Sequence, residues 1–319
     1  MAEIKLPPFQ VEELKGPGLL AALSNWAFKH YKVEGIWKHS TGKGVRVGIL
    51  DTGRPEHKDI QIAKSIDFSG EGETDGNGHS TWVSGCYKAS GGFLGWAPGC
   101  EIFTAKVLDN NGEGAWPWMR KGLEWALEER CEIINISAGG EYGGDKIQPI
   151  LAKLAERGTL VVCAAGNAGN LIIYPASDVS TIAVGAIDKE LERAAFSNFG
   201  WRMIVMAPGV KLLGCWLDNG YAEATGTSMS APQVGNLLTL QREIKHEGLK
   251  EVVARFSLTC EDMEEEGWDP PTGWGRIKPY KFLGLEEGKK VTPDWFFRFL
   301  IFVLLYFFAG AATTVKKLF

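Results

Sequence analysis

The chain has 319 residues, 45% of them hydrophobic and 23% charged, with a formal net charge of −5. That length and apolar content suffice for a large core in one or two domains. The acidic balance, with no basic block, argues against a nucleic-acid partner.

The opening residues, MAEIKLPPFQVEELKG, hold no apolar run of the kind a secretory signal needs. Downstream, β-branched or apolar runs at 45–50, 101–107, 133–137, 160–164, 181–186 and 203–207 predict strands. Segments of helical period lie at 81–88, 116–129, 146–156 and from 228 to about 247. Near-continuous apolar strands separated by helices predict an α/β fold, a mostly parallel sheet with helices on both faces. Ligands of such sheets gather beyond the carboxyl ends of the strands. Those ends carry Asp51, the segment SAGG (137–140) and the segment GNAGN (166–170).

Six dispersed cysteines, with no CxxC pair, read as core thiols of a reducing compartment; their even number leaves a secreted form as the alternative. The composition changes at 295–312, WFFRFLIFVLLYFFAGAA, which is apolar apart from Arg298 and is followed by Lys316 and Lys317. Eighteen helical residues reach about 27 Å, close to the hydrocarbon thickness of a bilayer. Arg298, one turn inside, can snorkel to the interface. The segment therefore reads as a transmembrane helix in contact with lipid, the alternative being a buried terminal helix.

Ser228 and Ser230, in ATGTSMSAPQVG (224–235), open the longest predicted helix. Serines there usually cap the helix, the hydroxyl accepting a free backbone N–H. A nucleophile would need a base, an orienting acid and an oxyanion donor elsewhere in the chain. Asp51 ends an apolar strand and enters the turn DTG, where a carboxylate can bind metal, cap the turn or orient a histidine. Among five histidines, His79 is delivered by the glycine-rich loop of DGNGHSTWVSG (75–85) to the start of a helix of small residues. Asn167 follows a strand in CAAGNAGN and alone reads as a turn asparagine.

Taken together, the motifs GVRVGILDTG, GNGHSTWVSG, AAGNAGN and GTSMSAPQVG resemble those of the subtilases, the subtilisin-like serine proteases, over about residues 30–280. Intervening text agrees, including APGCEIFTAKVLDNNGEG, IINISAGG, TIAVGAID, AFSNFG, MAPGV and GWGRI. The resemblance implies a subtilisin-like three-layer fold and a triad of Asp51, His79 and Ser228. Ser228 would attack the scissile carbonyl, His79 would accept and return the proton, and Asp51 would orient the imidazole. The Asn167 side chain and the Ser228 backbone N–H would receive the oxyanion. A protein or peptide substrate would add as a strand along Ser137, Ala138 and Gly139. The S1 pocket would be lined by Ala138, Gly139, Ala164, Ala165 and Gly166. Ile173, where the family often has glycine, would fill its floor and favour small or medium side chains.

The chain departs from the family in places. It reads His79-Ser80-Thr81-Trp82 where the family usually has His-Gly-Thr-His, and this tryptophan must be packed, neighbouring aromatics being the expected partners. The segment KASGGFLGWAP, after His79, is shortened and holds no carboxylate. The tight calcium loop of secreted relatives is therefore expected to be missing, with weaker structural calcium sites elsewhere as the open alternative; no cofactor is required for the chemistry and no metal ligand is assigned.

Residues 1–18 form a short extension that resembles that of intracellular subtilisins, with Leu6-Pro7-Pro8-Phe9 in place of their inhibitory motif. Two prolines stiffen it and remove N–H groups, so it could lie in the cleft in a non-cleavable register, against the alternative of a disordered tail. The expected division is an extension (1–18), a catalytic domain (19–285), a linker (286–294), a transmembrane helix (295–312) and a basic tail (313–319). The expected protein is a membrane-anchored endopeptidase with its catalytic domain in the cytoplasm; exposure on the far side, as in mycosins, is the topological alternative. A catalytically silent pseudoprotease that binds peptides or scaffolds a membrane complex is the competing class. The sequence leaves the oligomeric state open.

Overall fold

The apolar runs form strands because alternate side chains can be buried on opposite faces of one sheet. A computed structural model describes residues 3–14, 24–141 and 143–285. Two short strands, β1 (Ile4–Lys5) and β2 (Gln10–Glu13), precede the helices α1 (Trp26–His30) and α2 (Val33–Ile36). Then come β3 (Arg46–Asp51), β4 (Ile62–Asp67), α3 (His79–Lys88), β5 (Glu101–Lys106), β6 (Glu113–Gly114), α4 (Trp116–Glu128), β7 (Ile133–Ile136) and α5 (Gly144–Glu156). They are followed by β8 (Leu160–Ala164), β9 (Thr181–Ile187), β10 (Met203–Pro208), β11 (Leu212–Cys215), β12 (Tyr221–Thr225), α6 (Thr227–Ile244), α7 (Leu249–Thr259) and α8 (Pro279–Phe282).

Seven strands form one sheet in the order β10-β9-β8-β7-β3-β5-β4, every neighbouring pair parallel. Val47, Ile49, Val162, Ala164, Ile182 and Val184 enter a core shared with α3, α6 and α7. Their alternates Leu50, Val161, Cys163 and Ala183 enter a second core shared with α4 and α5. Helices thus cover both faces, as expected. The chain runs outward from β3 in both directions, so the carboxyl end of β3 is a topological switch point.

The six predicted strands are present to within about a residue at each end. The sheet is wider than expected because β4, an edge strand with exposed and half-exposed positions, lacks a continuous apolar run. Two small antiparallel sheets, β1 with β6 and β11-β12-β2, were also not anticipated. Helix α3 begins at His79 rather than at 81, and α6 ends at Ile244 rather than near 247. All six cysteines are unpaired, and burial pushes the Cys100 and Cys131 thiols up to about 12. No helix among the described residues is long and apolar enough to cross a membrane; 295–312 and the boundaries at 18/19 and 294/295 lie outside the described residues.

Trp82 is fully buried, but it pairs with no other ring among the described residues. Its indole instead lies on the backbone of Gly214 in β11, where an added Cβ would come within 2.3 Å of Trp82 Nε1 and 2.6 Å of Cδ1. Gly214 therefore makes the room that the large residue needs. Gly214→Ala is expected to lower the unfolding free energy by about 1–3 kcal/mol. The loss should be smaller in a Trp82→Ala background, as read from denaturant midpoints of the four proteins.

Candidate active site

Asp51 occupies the last position of β3 and His79 the first position of α3, and both side chains are fully buried. His79 Nδ1 lies 2.8 Å and 3.0 Å from the two Asp51 carboxylate oxygens. This contact makes Nδ1–H the donor and leaves Nε2 as the basic nitrogen. Nε2 is buried with no hydrogen-bond partner among the described residues.

A second carboxylate, missed in the sequence, builds the turn that brings this pair together. Asp75 is 3% exposed and accepts from Thr81 N–H (2.8 Å), Thr81 Oγ1 (2.7 Å), Thr52 Oγ1 (2.8 Å), Asn77 N–H (3.0 Å) and Gly78 N–H (3.0 Å). It caps α3 in place of Gly78, which has no side chain to do so. Gly78 itself has φ 97°, and the Trp216 ring would lie 2.7 Å from an added Cβ, so both conformation and space demand glycine. On the other side Thr52 donates its N–H to Asp51 Oδ1 (2.8 Å), and buried Lys106 donates to the carbonyls of Thr52 (2.8 Å) and Thr74 (3.0 Å) and to Asn110 Oδ1 (2.6 Å). The available signal was the spacing Asp-x-x-x-His ahead of a helix of small residues.

Ser228 lies in the first turn of α6, fully buried, with its Oγ donating to the Ser137 carbonyl at 3.2 Å. The Ser137 hydroxyl in turn donates to the Ser228 carbonyl at 3.2 Å. The amide of Asn167 is oriented by Thr227, whose N–H and Oγ1 donate to Asn167 Oδ1 at 2.8 Å and 2.7 Å. Asn167 Nδ2 is thereby turned outward as a donor. Ile173 donates its N–H to the Ala165 carbonyl at 3.1 Å, and its side chain would lie 2.7 Å and 3.4 Å from Cβ atoms added at Gly139 and Gly166. Ile173, Gly139, Ala165 and Gly166 are therefore brought together.

Residues 3–14 run across all of these groups. Lys5 exchanges both backbone hydrogen bonds with Gly139, each 3.0 Å, and Leu6 N–H donates to the Gly112 carbonyl at 2.9 Å. Ile4 is buried in the core around Leu108, Trp116 and Ala138. Asn167 Nδ2 donates to the Pro8 carbonyl at 2.8 Å. The Phe9 ring stands edge-on to His79, the centroids 5.0 Å apart.

One further group, His57, Asp59 and Cys215, has metal-ligand chemistry among the described residues. His57 Nε2–H donates to the Gly220 carbonyl (3.0 Å) and Nδ1 accepts from Asp59 N–H (3.1 Å). Asp59 accepts from Phe93 N–H (2.9 Å) and Tyr221 OH (2.7 Å). Burial pushes the Asp59 carboxyl up, but Tyr221 and the N–H groups of Gly92 and Phe93 hold it below its usual range. Burial also pushes the Cys215 thiol up. The bonds of His57 and Asp59 tie β12 and its preceding turn to the loop at 90–93.

The chain belongs to the subtilase family, whose sequence model matches residues 42–275. It is 40% identical over 210 residues to Subtilisin DY of Bacillus licheniformis, which covers 62% of this chain and 77% of that protein. It is 39% identical over 209 residues to Subtilisin Savinase of Lederbergia lenta, covering 64% and 78%. A thermostable alkaline protease of Halalkalibacterium halodurans is 38% identical over 205 residues, covering 62% of this chain and 57% of that protein. The chain is a serine endopeptidase.

An amide in place of the Asp75 carboxylate would turn an NH₂ toward donors that need an acceptor. Asp75→Asn is expected to cost about 1–3 kcal/mol of stability. It should also lower kcat/KM about 10- to 100-fold by displacing His79, as measured by denaturation and peptide hydrolysis on the same preparation.

Proposed function

We propose that Ser228 is the nucleophile of a membrane-tethered endopeptidase whose N-terminal extension occupies the cleft until it is displaced. The observation that carries this reading is the alignment of Asn167 Nδ2, the Pro8 carbonyl and the buried His79–Asp51 pair along one extended segment. Asn167 donates to a peptide carbonyl, as an oxyanion donor must. Gly139 pairs with the backbone of Lys5, as it would with that of a substrate.

On displacement the Ser228 hydroxyl leaves the Ser137 carbonyl and turns to His79 Nε2, which takes its proton as Oγ attacks the scissile carbonyl. The imidazolium is held by Asp51, and the developing oxyanion by Asn167 Nδ2 and the Ser228 N–H. Collapse expels the amine, which takes its proton from His79. Water then repeats the sequence on the acyl-enzyme, with His79 as base.

In the occupied cleft the same parts are kept from working. Pro8 fills the Asn167 position, Phe9 covers His79, and Ser228 Oγ is directed at Ser137. Neither proline can donate to the neighbouring strands. These contacts support Leu6, Pro7, Pro8 and Phe9 as an inhibitory segment. The apolar composition of 295–312 supports a membrane tether, which would raise the effective concentration of substrates at the membrane surface. No step of this chemistry uses a metal.

Ser228→Ala is expected to reduce hydrolysis of an unfolded protein substrate by about 10⁶-fold, the scale of a removed nucleophile in this enzyme class; undiminished hydrolysis contradicts the assignment. With Ile173 at the pocket floor, peptides with Ala, Val or Leu before the cut should exceed those with Phe or Tyr in kcat/KM. Ile173→Gly should shift that ratio toward the aromatics by about 10-fold or more, measured on a matched peptide series.

A further inference from the structure

Past the Pro8 carbonyl the extension does not leave the protein. Gln10–Glu13 forms β2 on the outer edge of β12, in the register Gln10↔Thr225, Val11↔Ala224, Glu12↔Glu223 and Glu13↔Ala222. Leu14 N–H then donates to the Tyr221 carbonyl at 3.0 Å. All four β2 side chains are exposed, so main-chain pairing and not side-chain burial holds the segment there. Such pairing accepts any extended peptide of suitable length.

The edge that receives it is preformed. Ala222 and Ala224 are buried beneath β12, and Tyr221 OH is anchored on Asp59 at 2.7 Å. His57 holds the adjoining Gly220 carbonyl at 3.0 Å.

Two side chains make this edge selective. Trp216 Nε1 donates to Glu13 Oε1 at 3.1 Å, while its ring packs on Gly78, the residue before His79. Glu12 faces Glu223 directly across the ladder, and no basic side chain among the described residues pairs with either. Like charges at directly opposed positions disfavour pairing, and opposite charges favour it. The extension therefore fits this edge less well than a peptide with a basic residue in place of Glu12.

We infer that the outer edge of β12 is a second peptide-binding strand, which takes the residues following the scissile bond and selects a basic side chain opposite Glu223 and a hydrogen-bond acceptor at Trp216. The inference rests on Ser228 being the nucleophile, because that fixes which side of the cut lies on β12. Counting Phe9 as the first residue after the carbonyl at Asn167, the basic residue is the fourth and the acceptor the fifth. A substrate so built binds and displaces the extension with the same contacts.

The test uses the full chain and peptides that are identical before the cut. A single Lys is walked through the second to sixth positions after it. The expected kcat/KM profile peaks at the fourth position, about 3- to 10-fold above Glu there, and Glu223→Gln flattens it. Trp216→Phe should remove a preference for Glu over Ala at the fifth position. A flat profile, with every peptide cut at the same bond, overturns the inference. If no peptide is cut, either the extension stays in place or the catalytic reading fails, and amide exchange at residues 10–13 then decides the binding strand. Glu12→Lys slows that exchange several-fold if the edge selects a base, and unchanged or faster exchange rejects it.

Discussion

The hydrogen bond between His79 Nδ1 and the Asp51 carboxylate is the contact on which the rest of the site depends. Both groups are removed from water, and in the interior an unpaired carboxylate or imidazolium is costly. The fold therefore surrounds the pair with further polar groups that have partners of their own. Thr52 bonds Asp51, Asp75 gathers the turn that starts α3, and the Lys106 ammonium is spent on three oxygens around the same turn. Asp51 and Lys106 are register partners on β3 and β5, so the central sheet itself sets the spacing. The placement of Asp51 and His79 is thus a property of the sheet and one capped turn.

Much of this was legible in the residues. The apolar runs identified six of the seven strands of the main sheet, because burial on both faces writes itself as continuous hydrophobic sequence. β4 was missed for the opposite reason: an edge strand needs no such run. Asp51, His79, Asn167 and Ser228 stood at strand and helix ends within distinctive motifs. The residues that orient them did not stand out. Asp75 and Thr227 act through backbone N–H groups and a side-chain amide, and such bonds leave no periodic trace in sequence. Trp82 and Gly214 are far apart in the chain, and their fit becomes visible only when α3 lies on β11.

The extension shows both limits. Leu6-Pro7-Pro8-Phe9 could be singled out by composition, yet its register against Gly139 and Asn167 is fixed by hydrogen bonds from three separate elements. Its continuation as a strand on β12 had no signal, since Gln10–Glu13 holds a single apolar residue, Val11, and is held by main-chain pairing. The segment lies as one short strand before and one after Pro8, with Ile4 and Pro7 buried and Leu6 and Phe9 half-buried. Main-chain contacts of this kind are open to competition by any peptide that can form the same ladder. On the proposed reading, closure of the cleft and recognition of substrate would be two uses of the same edges.

The most direct measurement is the rate at which a fluorophosphonate labels Ser228 in the full chain and in a chain lacking residues 1–18, with Ser228→Ala fixing the site. Faster labelling of the shortened chain is the predicted result, because Pro8 and Phe9 no longer occupy the Asn167 donor and cover His79. Equal rates in the two chains would contradict closure of the site by the extension.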